Sequence, residues 1–447
     1  MDTSKNPHEL ETQKVSKLLW KYAVPAVLGT LSMSLYNIVD RIFIGQGVGA
    51  YAISGLALTF PIVTIIQAFG TLVGVGASAR ISIVLGMKDK AWAEKILGNS
   101  LVLTLFFWSL LTIFGLLYLD PILLAFGGSE ETLPYAREYL RILIPASIFN
   151  NFCFSFSNII RASGSPYNSM KVILIGVVLN VILDPIFIFG FDMGIQGAAY
   201  ATLISMSVGG FFALRHFMLP SSLLHFRLSA MKLEPKIIRN IIVIGMSPFL
   251  MNLAASIVNV FMNQELFQYG GDLAIGAYGI INSYGAFFVM FVIGISQGMQ
   301  PIVGYNYGAK KLKRMKDTLK LAIKISMGIT TFGGIVCVLF PKFLAMVFSS
   351  DPELNRITAE GMRYIFLIFP LIGFQIAIAN FFQSISKAWL SIMMSLLRQV
   401  VFLLPCLYLF SSQWGLLGVW IAAPVSDFMS VCVAAYVLWT QKKVFYR

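Results

Sequence analysis

Long apolar stretches separated by short polar ones recur along the whole chain. Twelve of them are long enough to cross a bilayer, since a helical crossing takes about 20 apolar residues. They begin near Leu18, Ala52, Ile96, Arg137, Ser169, Ile195, Arg239, Ala274, Thr318, Gly361, Ser391 and Leu416. A β-barrel is disfavoured because its strands would alternate apolar and polar residues over segments of about ten. The pattern predicts an all-α polytopic membrane protein with 12 transmembrane helices.

Composition agrees with that prediction. Hydrophobic residues make up 57% of the chain and charged residues 12%, and the mean hydropathy is +0.79, values that exclude a soluble core of this length. The amino-terminal residues are polar and lead directly into a full spanning length, so we expect no cleaved signal peptide. The four cysteines lie singly inside apolar stretches, which predicts no disulfide framework, no cysteine metal site and no cofactor.

The net charge of +13 is unevenly distributed. Most lysines and arginines lie in the two tails and in alternate loops, most densely over Lys310–Lys324. The opposite loops carry acidic residues: Asp120, Glu130, Glu131, Glu138, Asp192, Asp272, Asp351 and Glu353. By the positive-inside rule both termini are cytoplasmic. The basic excess therefore indicates membrane topology and contact with anionic lipid, not nucleic-acid binding.

The chain also contains an internal repeat. A shift of about half its length places Gly76 on Gly298, Gly86 on Gly308 and Lys88 on Lys310. An even number of helices in each half makes the halves parallel, which predicts two six-helix lobes related by a pseudo-two-fold along the membrane normal. The predicted domains are an amino lobe over 1-218, a cytoplasmic linker over 219-236 and a carboxyl lobe over 237-447.

Polar residues interrupt the fifth and sixth apolar stretches at helical spacing. Asn180 and Asp184 are one turn apart and share a helix face, and Ala198 and Thr202 repeat that spacing on the next helix. Two antiparallel helices therefore direct an amide, a carboxylate and a hydroxyl towards one place. An ionisable residue at membrane depth is costly and usually marks an ion path, a proton relay or a substrate counter-charge.

The first helix adds a second carboxylate at a similar depth. Tyr36 and Asp40 lie one turn apart in its predicted outer half, where Asp184 also lies. In the repeat, Asp40 falls on Met262 and Asp184 falls on Leu404. Because the second half lacks the carboxylates, they are not needed to hold a six-helix unit together. The asymmetry favours a functional role in the amino half.

The carboxyl half contains three charged residues within or near its spans. Glu265 lies near the outer end of the seventh helix, where solvation is a sufficient explanation. Arg398 and Asp427 lie deeper, on the eleventh and twelfth helices. Intramembrane charges commonly pair with one another, so a structural ion pair is one interpretation of these two residues.

Four segments, in order and at matching spacing, resemble one known family. They are LYNIVDRIFIG in the first helix, LNVILDPIFIFGFDMGIQGAAYAT across the fifth and sixth, GMQPIVGYNYGAK after the eighth and WGLLGVWIAAPVSD entering the twelfth. Over nearly its whole length the chain resembles the multidrug and toxic compound extrusion (MATE) family. Within that family it is most similar to the DinF-like branch and its MepA-type members.

The resemblance implies cation-coupled efflux, in which H⁺ or Na⁺ moves inward while an amphipathic, often cationic drug or toxic compound leaves. In the DinF-like branch the coupling site lies in the amino lobe. Carried over to this chain, the site comprises Asp40, Asn180, Asp184 and Thr202, with the carbonyl of Ala198 and with Tyr36 adjacent.

Of two further features of the family, this chain lacks one and has the other. The carboxylate that other branches carry midway along the seventh helix is not matched, since Met262 and Asn263 occupy that region. Pro25 matches the proline at which bending of the first helix has been proposed for the branch. An ordinary transmembrane proline kink explains Pro25 equally well.

The residues leave the coupling ion open. A buried carboxyl beside a second carboxyl holds a proton, and such a pair titrates as a unit. Carboxylates, an amide oxygen, a hydroxyl and a carbonyl also form the all-oxygen ligand set that a hard cation prefers, which makes Na⁺ at Asp40, Asn180, Asp184 and Thr202 the alternative. Candidate drug-binding residues, each also able to form ordinary interhelical hydrogen bonds, are Met33, Asn158, Asn259, Asn282, Gln297 and Gln300.

Other classes of protein fit the sequence less well. An intramembrane enzyme is disfavoured because the sequence has no GxGD, HExxH or His-supported serine motif. A lipid-linked precursor flippase of related architecture needs several basic residues deep in its cavity to hold pyrophosphate, and Arg398 is the one base well inside a span. A channel would need a filter-like repeat. We expect a monomeric transporter in a prokaryotic plasma membrane.

Overall fold

The computed structural model describes residues 8–48, 50–125 and 132–441. Every regular element in these ranges is a helix. The first half contains α1 (His8–Thr12), α2 (Val15–Gly47), α3 (Ala50–Gly86), α4 (Lys90–Leu117), α5 (Leu119–Ala125), α6 (Leu133–Ala162), α7 (Pro166–Pro185) and α8 (Gly194–His216). A π-helical segment, Ile186–Gly190, follows α7, and a 3-10 turn, Leu228–Met231, follows α8. The predicted outer-loop residues Glu130 and Glu131 lie outside the described ranges.

The second half begins with the longest helix of the chain. It contains α9 (Pro235–Gly308), α10 (Leu312–Leu339), α11 (Pro341–Phe348), α12 (Pro352–Ile365), α13 (Phe369–Ser384), α14 (Ala388–Leu396), α15 (Leu404–Trp414) and α16 (Leu416–Thr440). A π-helical segment, Leu397–Leu403, joins α14 to α15. Unbroken, α9 would measure about 110 Å at 1.5 Å per residue, far beyond a bilayer of about 30 Å. Gly271 breaks it with a φ of +62°, a conformation that glycine adopts without a side-chain clash.

The number of membrane spans follows from these breaks. Ten helices in the described ranges are long and apolar enough to cross a membrane, and α12 with α13, bent by 56°, makes an eleventh. Dividing α9 at Gly271 makes twelve. The predicted 12-helix architecture is therefore confirmed, with its tenth span bent and its eleventh interrupted by a π-helical segment.

The chain divides into two compact units. The amino unit is Leu28–Phe249 with the described part of Met1–Glu11, and the carboxyl unit is Thr12–Val27 with the described part of Leu250–Arg447. The two-lobe layout is thus present. Along the chain, the boundaries between the units fall within α2 and within the first half of α9, whereas the predicted division was the linker over 219-236.

That linker packs on the amino unit because one buried amide holds it. Asn99 of α4 donates to the carbonyls of Ala230 at 3.3 Å and Lys232 at 3.1 Å, and its own Oδ1 accepts from the backbone N–H of Glu234 at 3.0 Å. Lys95 binds the carboxylate of Glu234 at 2.7 Å. The end of the linker, immediately before α9, is therefore fixed to α4.

Small residues set the helix spacing inside the amino unit. A Cβ added to Gly74 of α3 would lie 2.6 Å from Cα of Ser155 on α6, so only glycine allows this approach. The hydroxyl of Ser155 donates to the carbonyl of Gly70 at 2.8 Å. On the other side of α6, a Cβ at Gly210 of α8 would lie 2.8 Å from the carbonyl oxygen of Phe149. Close packing of α6 against α3 and α8 places the polar residues of α8 deep inside the unit.

Candidate functional site

A polar cluster joins α7 and α8 in the interior of the amino unit. Asp184 is fully buried, and Asn180 and Thr202 are nearly so. The Asn180 amide nitrogen donates to Oδ1 of Asp184 at 3.2 Å and to the Thr202 hydroxyl at 3.3 Å. The two helices therefore bring an amide, a carboxyl and a hydroxyl together, as their spacing predicts.

Helix α2 completes the cluster with two side chains. The hydroxyl groups of Tyr36 and Thr202 share a hydrogen bond at 3.4 Å. Asp40 is 5% exposed and lies close enough to Asp184 for the two carboxyl groups to interact electrostatically. Two neighbouring carboxyl groups inside an apolar unit repel each other when both are ionised without a counter-charge. The geometry therefore suits the uptake of one cation by this pair.

Two oxygen atoms of the cluster are available to a ligand. Oδ1 of Asn180 and Oδ2 of Asp184 are buried, and neither has a hydrogen-bond partner among the described residues. Buried acceptors are nearly always satisfied, so unsatisfied ones indicate a bound proton, ion or water. These atoms, with the Thr202 hydroxyl, fit an all-oxygen cation ligand set. Ala198 lies buried one turn before Thr202 on α8, and the role of its carbonyl stays a prediction.

The helix that carries Asp184 loses its regular geometry immediately after it. Pro185 supplies no backbone N–H, and the next five residues form the π-helical segment Ile186–Gly190. The backbone of Phe187 in that segment packs against Gly197 of α8, where an added Cβ would lie 2.9 Å from it. Short π segments occur frequently at functional sites. Asp184 therefore sits at the junction of a regular helix with an irregular one.

Two cavities of the amino unit adjoin the cluster. The apolar cavity has a volume of about 470 Å³ and includes Cys153, Phe154, Ile173 and Val177 in its lining. The polar cavity has a volume of about 790 Å³ and contains Asp40. Five residues line both cavities: Met33, Tyr36, Asn150, Thr202 and Met206. Tyr36 and Thr202 thus belong at once to the polar cluster and to the wall shared by the cavities, which we call the shared wall.

Sequence reasoning missed several polar residues of this region. Tyr139 of α6 is buried and interacts electrostatically with Asp40, Tyr36 and Asp184. Gln67, Ser147 and Asn150 line the polar cavity beside it. Tyr139, Ser147 and Asn150 share one face of α6 and Gln67 lies on α3, but no spacing within a helix links them to the carboxylates of α2 and α7. The available signals were this shared face and the position of Tyr139 in the same predicted half of its span as Asp40.

The six predicted drug-binding residues lie in different surroundings. Met33 is in the shared wall. Asn158 is buried and donates to the carbonyl of Phe154 at 2.9 Å, which is the ordinary structural role also foreseen for it. Asn259 and Asn282 are exposed, Gln297 is half-buried and Gln300 is buried. Neither cavity described above is lined by any of the last five, and a drug-binding role for all six stays a prediction.

The carboxyl unit lacks a matching carboxylate cluster where the repeat would place one. Met262, the counterpart of Asp40, is 2% exposed and belongs to a hydrophobic core with Trp420 and Phe366. The predicted pairing of Arg398 with Asp427 is confirmed, with Nη1 and Oδ1 3.5 Å apart. Glu265 accepts a hydrogen bond from the Ser411 hydroxyl at 2.6 Å.

A twelve-span helical protein with a buried carboxyl pair opening onto cavities has the organisation of a membrane transporter. The MatE family model matches residues 25–186 and again residues 244–409. The chain belongs to this family, the multidrug and toxic compound extrusion transporters. The two matches fall on the two halves of the predicted internal repeat.

Curated relatives and solved structures agree with this assignment. The multidrug export protein MepA of Staphylococcus haemolyticus is 28% identical over 430 residues, covering 96% of this chain and 94% of its own. MepA of Staphylococcus aureus strain MRSA252 is 29% identical over 432 residues with the same coverage. A multidrug resistance MATE transporter in an outward-facing conformation is 25% identical with a TM-score of 0.92, covering 99% of each chain. A MATE crystal structure in a bent conformation is equally similar, covering 99% of this chain and 98% of its own.

Proposed function

We propose that this protein is a cation-coupled antiporter that exports amphipathic, often cationic organic compounds by alternating access. The burial of the Asp40 and Asp184 carboxyl groups close together, beside the hydrogen bonds of Asn180 to Asp184 and Thr202, is the observation that carries the proposal. Keeping such a pair at membrane depth costs free energy, and a role in binding and releasing a cation explains why the pair is present. Relatives named multidrug export proteins support the choice of cargo.

The coupling ion is H⁺ or Na⁺. A proton would bridge the two carboxyl groups and remove their repulsion. A sodium ion would instead take the free oxygens of Asn180 and Asp184 together with Asp40 and Thr202, since hard cations prefer oxygen ligands. Either ion neutralises the same charge, so the proposal holds for both.

The shared wall explains how ion and drug could exclude each other. Tyr36 and Thr202 bond to each other in the cluster and also line both cavities. A cation that draws Thr202 and Asp40 together changes the shape of the wall against which a compound in the apolar cavity packs. Ligands that favour different arrangements of one element lower each other's affinity, and this reciprocity is the requirement for antiport.

The proposal is tested by replacing each carboxylate with its neutral isostere. In inverted membrane vesicles, Asp184→Asn and Asp40→Asn should abolish gradient-driven uptake of a fluorescent cationic drug. Asp192→Asn is the matched control, because Asp192 is an exposed carboxylate beyond the π-helical segment and its positive φ of 53° suits asparagine. Wild-type transport by both cluster variants would refute the site.

A second measurement identifies the ion. Drug uptake is driven by a Na⁺ gradient at clamped pH and, separately, by a pH gradient without Na⁺. Activity with only one gradient names the coupling ion, whereas activity with neither contradicts cation coupling. We also propose that the transporter is a monomer with both termini in the cytoplasm, and that its basic loops contact anionic lipid.

A further inference from the structure

The carboxyl unit contains a pair of oppositely charged side chains that is not part of the proposed cation site. Arg398 and Asp427 lie near the middle of their spans, Ala388–Trp414 and Leu416–Thr440. A charged pair at this depth is costly, and replacing such a pair by apolar residues is often neutral or stabilising. Stability alone is therefore a weak reason for the pair to be present.

The pair is loosely made. Its single contact, 3.5 Å, exceeds the roughly 2.7–2.9 Å of a charge-assisted hydrogen bond. Within the described ranges the Arg398 side chain makes no hydrogen bond that meets ordinary distance and angle limits. A guanidinium has five N–H donors in a planar fork suited to a carboxylate. Most of that capacity is unused.

Arg398 is also accessible. Its side chain is 27% exposed, whereas that of Asp427 is 11% exposed. A guanidinium at this depth does not face hydrocarbon, because arginines within spans face water-filled cavities or the bundle interior. The exposed part of Arg398 is therefore expected to face the interior of the bundle, where a polar group of a ligand could reach it.

The backbone at Arg398 is also irregular. Arg398 lies in the π-helical segment Leu397–Leu403, just before Pro405, and π segments occur frequently at functional sites. Tyr278 of α9 lies close enough to interact electrostatically with Arg398. When Gly197 is aligned with Gly418, Asp427 takes the repeat position of Met206, which is in the shared wall of the amino unit. The eleventh and twelfth spans thus bring a guanidinium and a carboxylate together, within electrostatic range of a phenol.

We infer that Arg398 and Asp427 form a second binding site, in the carboxyl unit, for zwitterionic amphipathic compounds that carry a carboxylate. The ligand's carboxylate takes the fork of Arg398, and its cationic group faces Asp427, so neither protein charge is left unpaired. Without such a ligand the two residues pair with each other. The inference rests on the proposed export function and assigns to this pair the recognition of those exported compounds that carry a carboxylate.

Rhodamine 110 and rhodamine 123 form a matched pair of probes, since the second is the methyl ester of the first and lacks only the free carboxylate. Binding of each dye to the purified full-length protein is measured by fluorescence polarisation. Arg398→Gln should weaken rhodamine 110 about tenfold more than rhodamine 123, the size expected for one charge-assisted interaction. The double variant Arg398→Gln/Asp427→Asn, which leaves no charge unpaired, should show the same selective loss.

Two results would overturn the inference: no binding of rhodamine 110 to the wild type, or a ratio of the two dissociation constants that is the same in the two variants as in the wild type. Because the readout is a ratio within one preparation, partial misfolding does not imitate it. Asp184→Asn separates the two proposals. That variant should stop gradient-driven uptake of both dyes while keeping the wild-type binding ratio, so failure of one proposal is distinguishable from failure of the other.

Discussion

Asn180→Leu isolates the residue that holds the polar cluster together. Leucine has nearly the shape of asparagine, so the packing of α7 changes little. The substitution removes the donor that reaches Asp184 at 3.2 Å and Thr202 at 3.3 Å, and it removes the free oxygen Oδ1. Asp184 and Thr202 then lose the group that orients them towards each other.

The size of the effect follows from those two distances. Both lie at or beyond the long end of N–H···O hydrogen bonds, so we take about 1 kcal/mol for each, within the measured range. A sum of about 2 kcal/mol corresponds to a roughly 30-fold weaker affinity for the coupling ion. If the ion is Na⁺, loss of Oδ1 as a ligand adds to this value.

The assay is drug uptake into proteoliposomes as a function of the coupling ion's concentration. For Asn180→Leu the concentration giving half-maximal uptake should rise about 30-fold. Val178→Leu is the control, because Val178 lies on the same helix, 55% exposed and outside the cluster. A half-maximal concentration unchanged from wild type, in protein of normal thermal stability, would show that Asn180 does not serve the ion site.

Two further predictions concern the scaffold. Gly74→Ala should lower the melting temperature of the purified protein, since its Cβ would lie 2.6 Å from Cα of Ser155 and overpacking costs about 1–3 kcal/mol. Gly279→Ala is the matched control, because a Cβ there meets nothing within 4 Å. Equal melting temperatures of the two variants would contradict the packing argument. Asn99→Ala removes three hydrogen bonds to the linker, including the one from the N–H of Glu234, so proteolysis within the linker should become faster than in wild type. An unchanged cleavage rate would show that other contacts hold the linker.

The helices and their number were predictable because a bilayer imposes one strong constraint. A spanning helix must satisfy the hydrogen bonds of its own backbone and present apolar side chains over about 20 residues. This apolar length can be recognised in each stretch of the sequence by itself. The breaks were not equally predictable. Gly271 interrupts α9 in the polar stretch before Asp272, between the predicted seventh and eighth spans, whereas no local pattern predicts the π-helical segment that interrupts the eleventh span.

Part of the carboxylate cluster was also predictable from local sequence. The pairs Asn180 with Asp184 and Ala198 with Thr202 share helix faces by spacing alone, and Tyr36 and Asp40 lie at matching depth. Spacing acts within one helix, whereas contact between helices depends on their rotation and crossing. That Tyr36 meets Thr202, and that Asp40 meets Asp184, was therefore decided only by the tertiary structure.

The sequence by itself determined the class of protein, its spans and the half of the chain that carries the buried carboxylates, because hydrophobic length and helical period are local properties. Only the tertiary structure decided which solitary polar residues join the carboxylates. Tyr139 and Asn150 share a face of α6 and Gln67 lies on α3, and no spacing within a helix connects either face to the carboxylates of α2 and α7. The shared wall between the two cavities likewise exists only once α2, α6 and α8 are packed, since each contributes part of its lining.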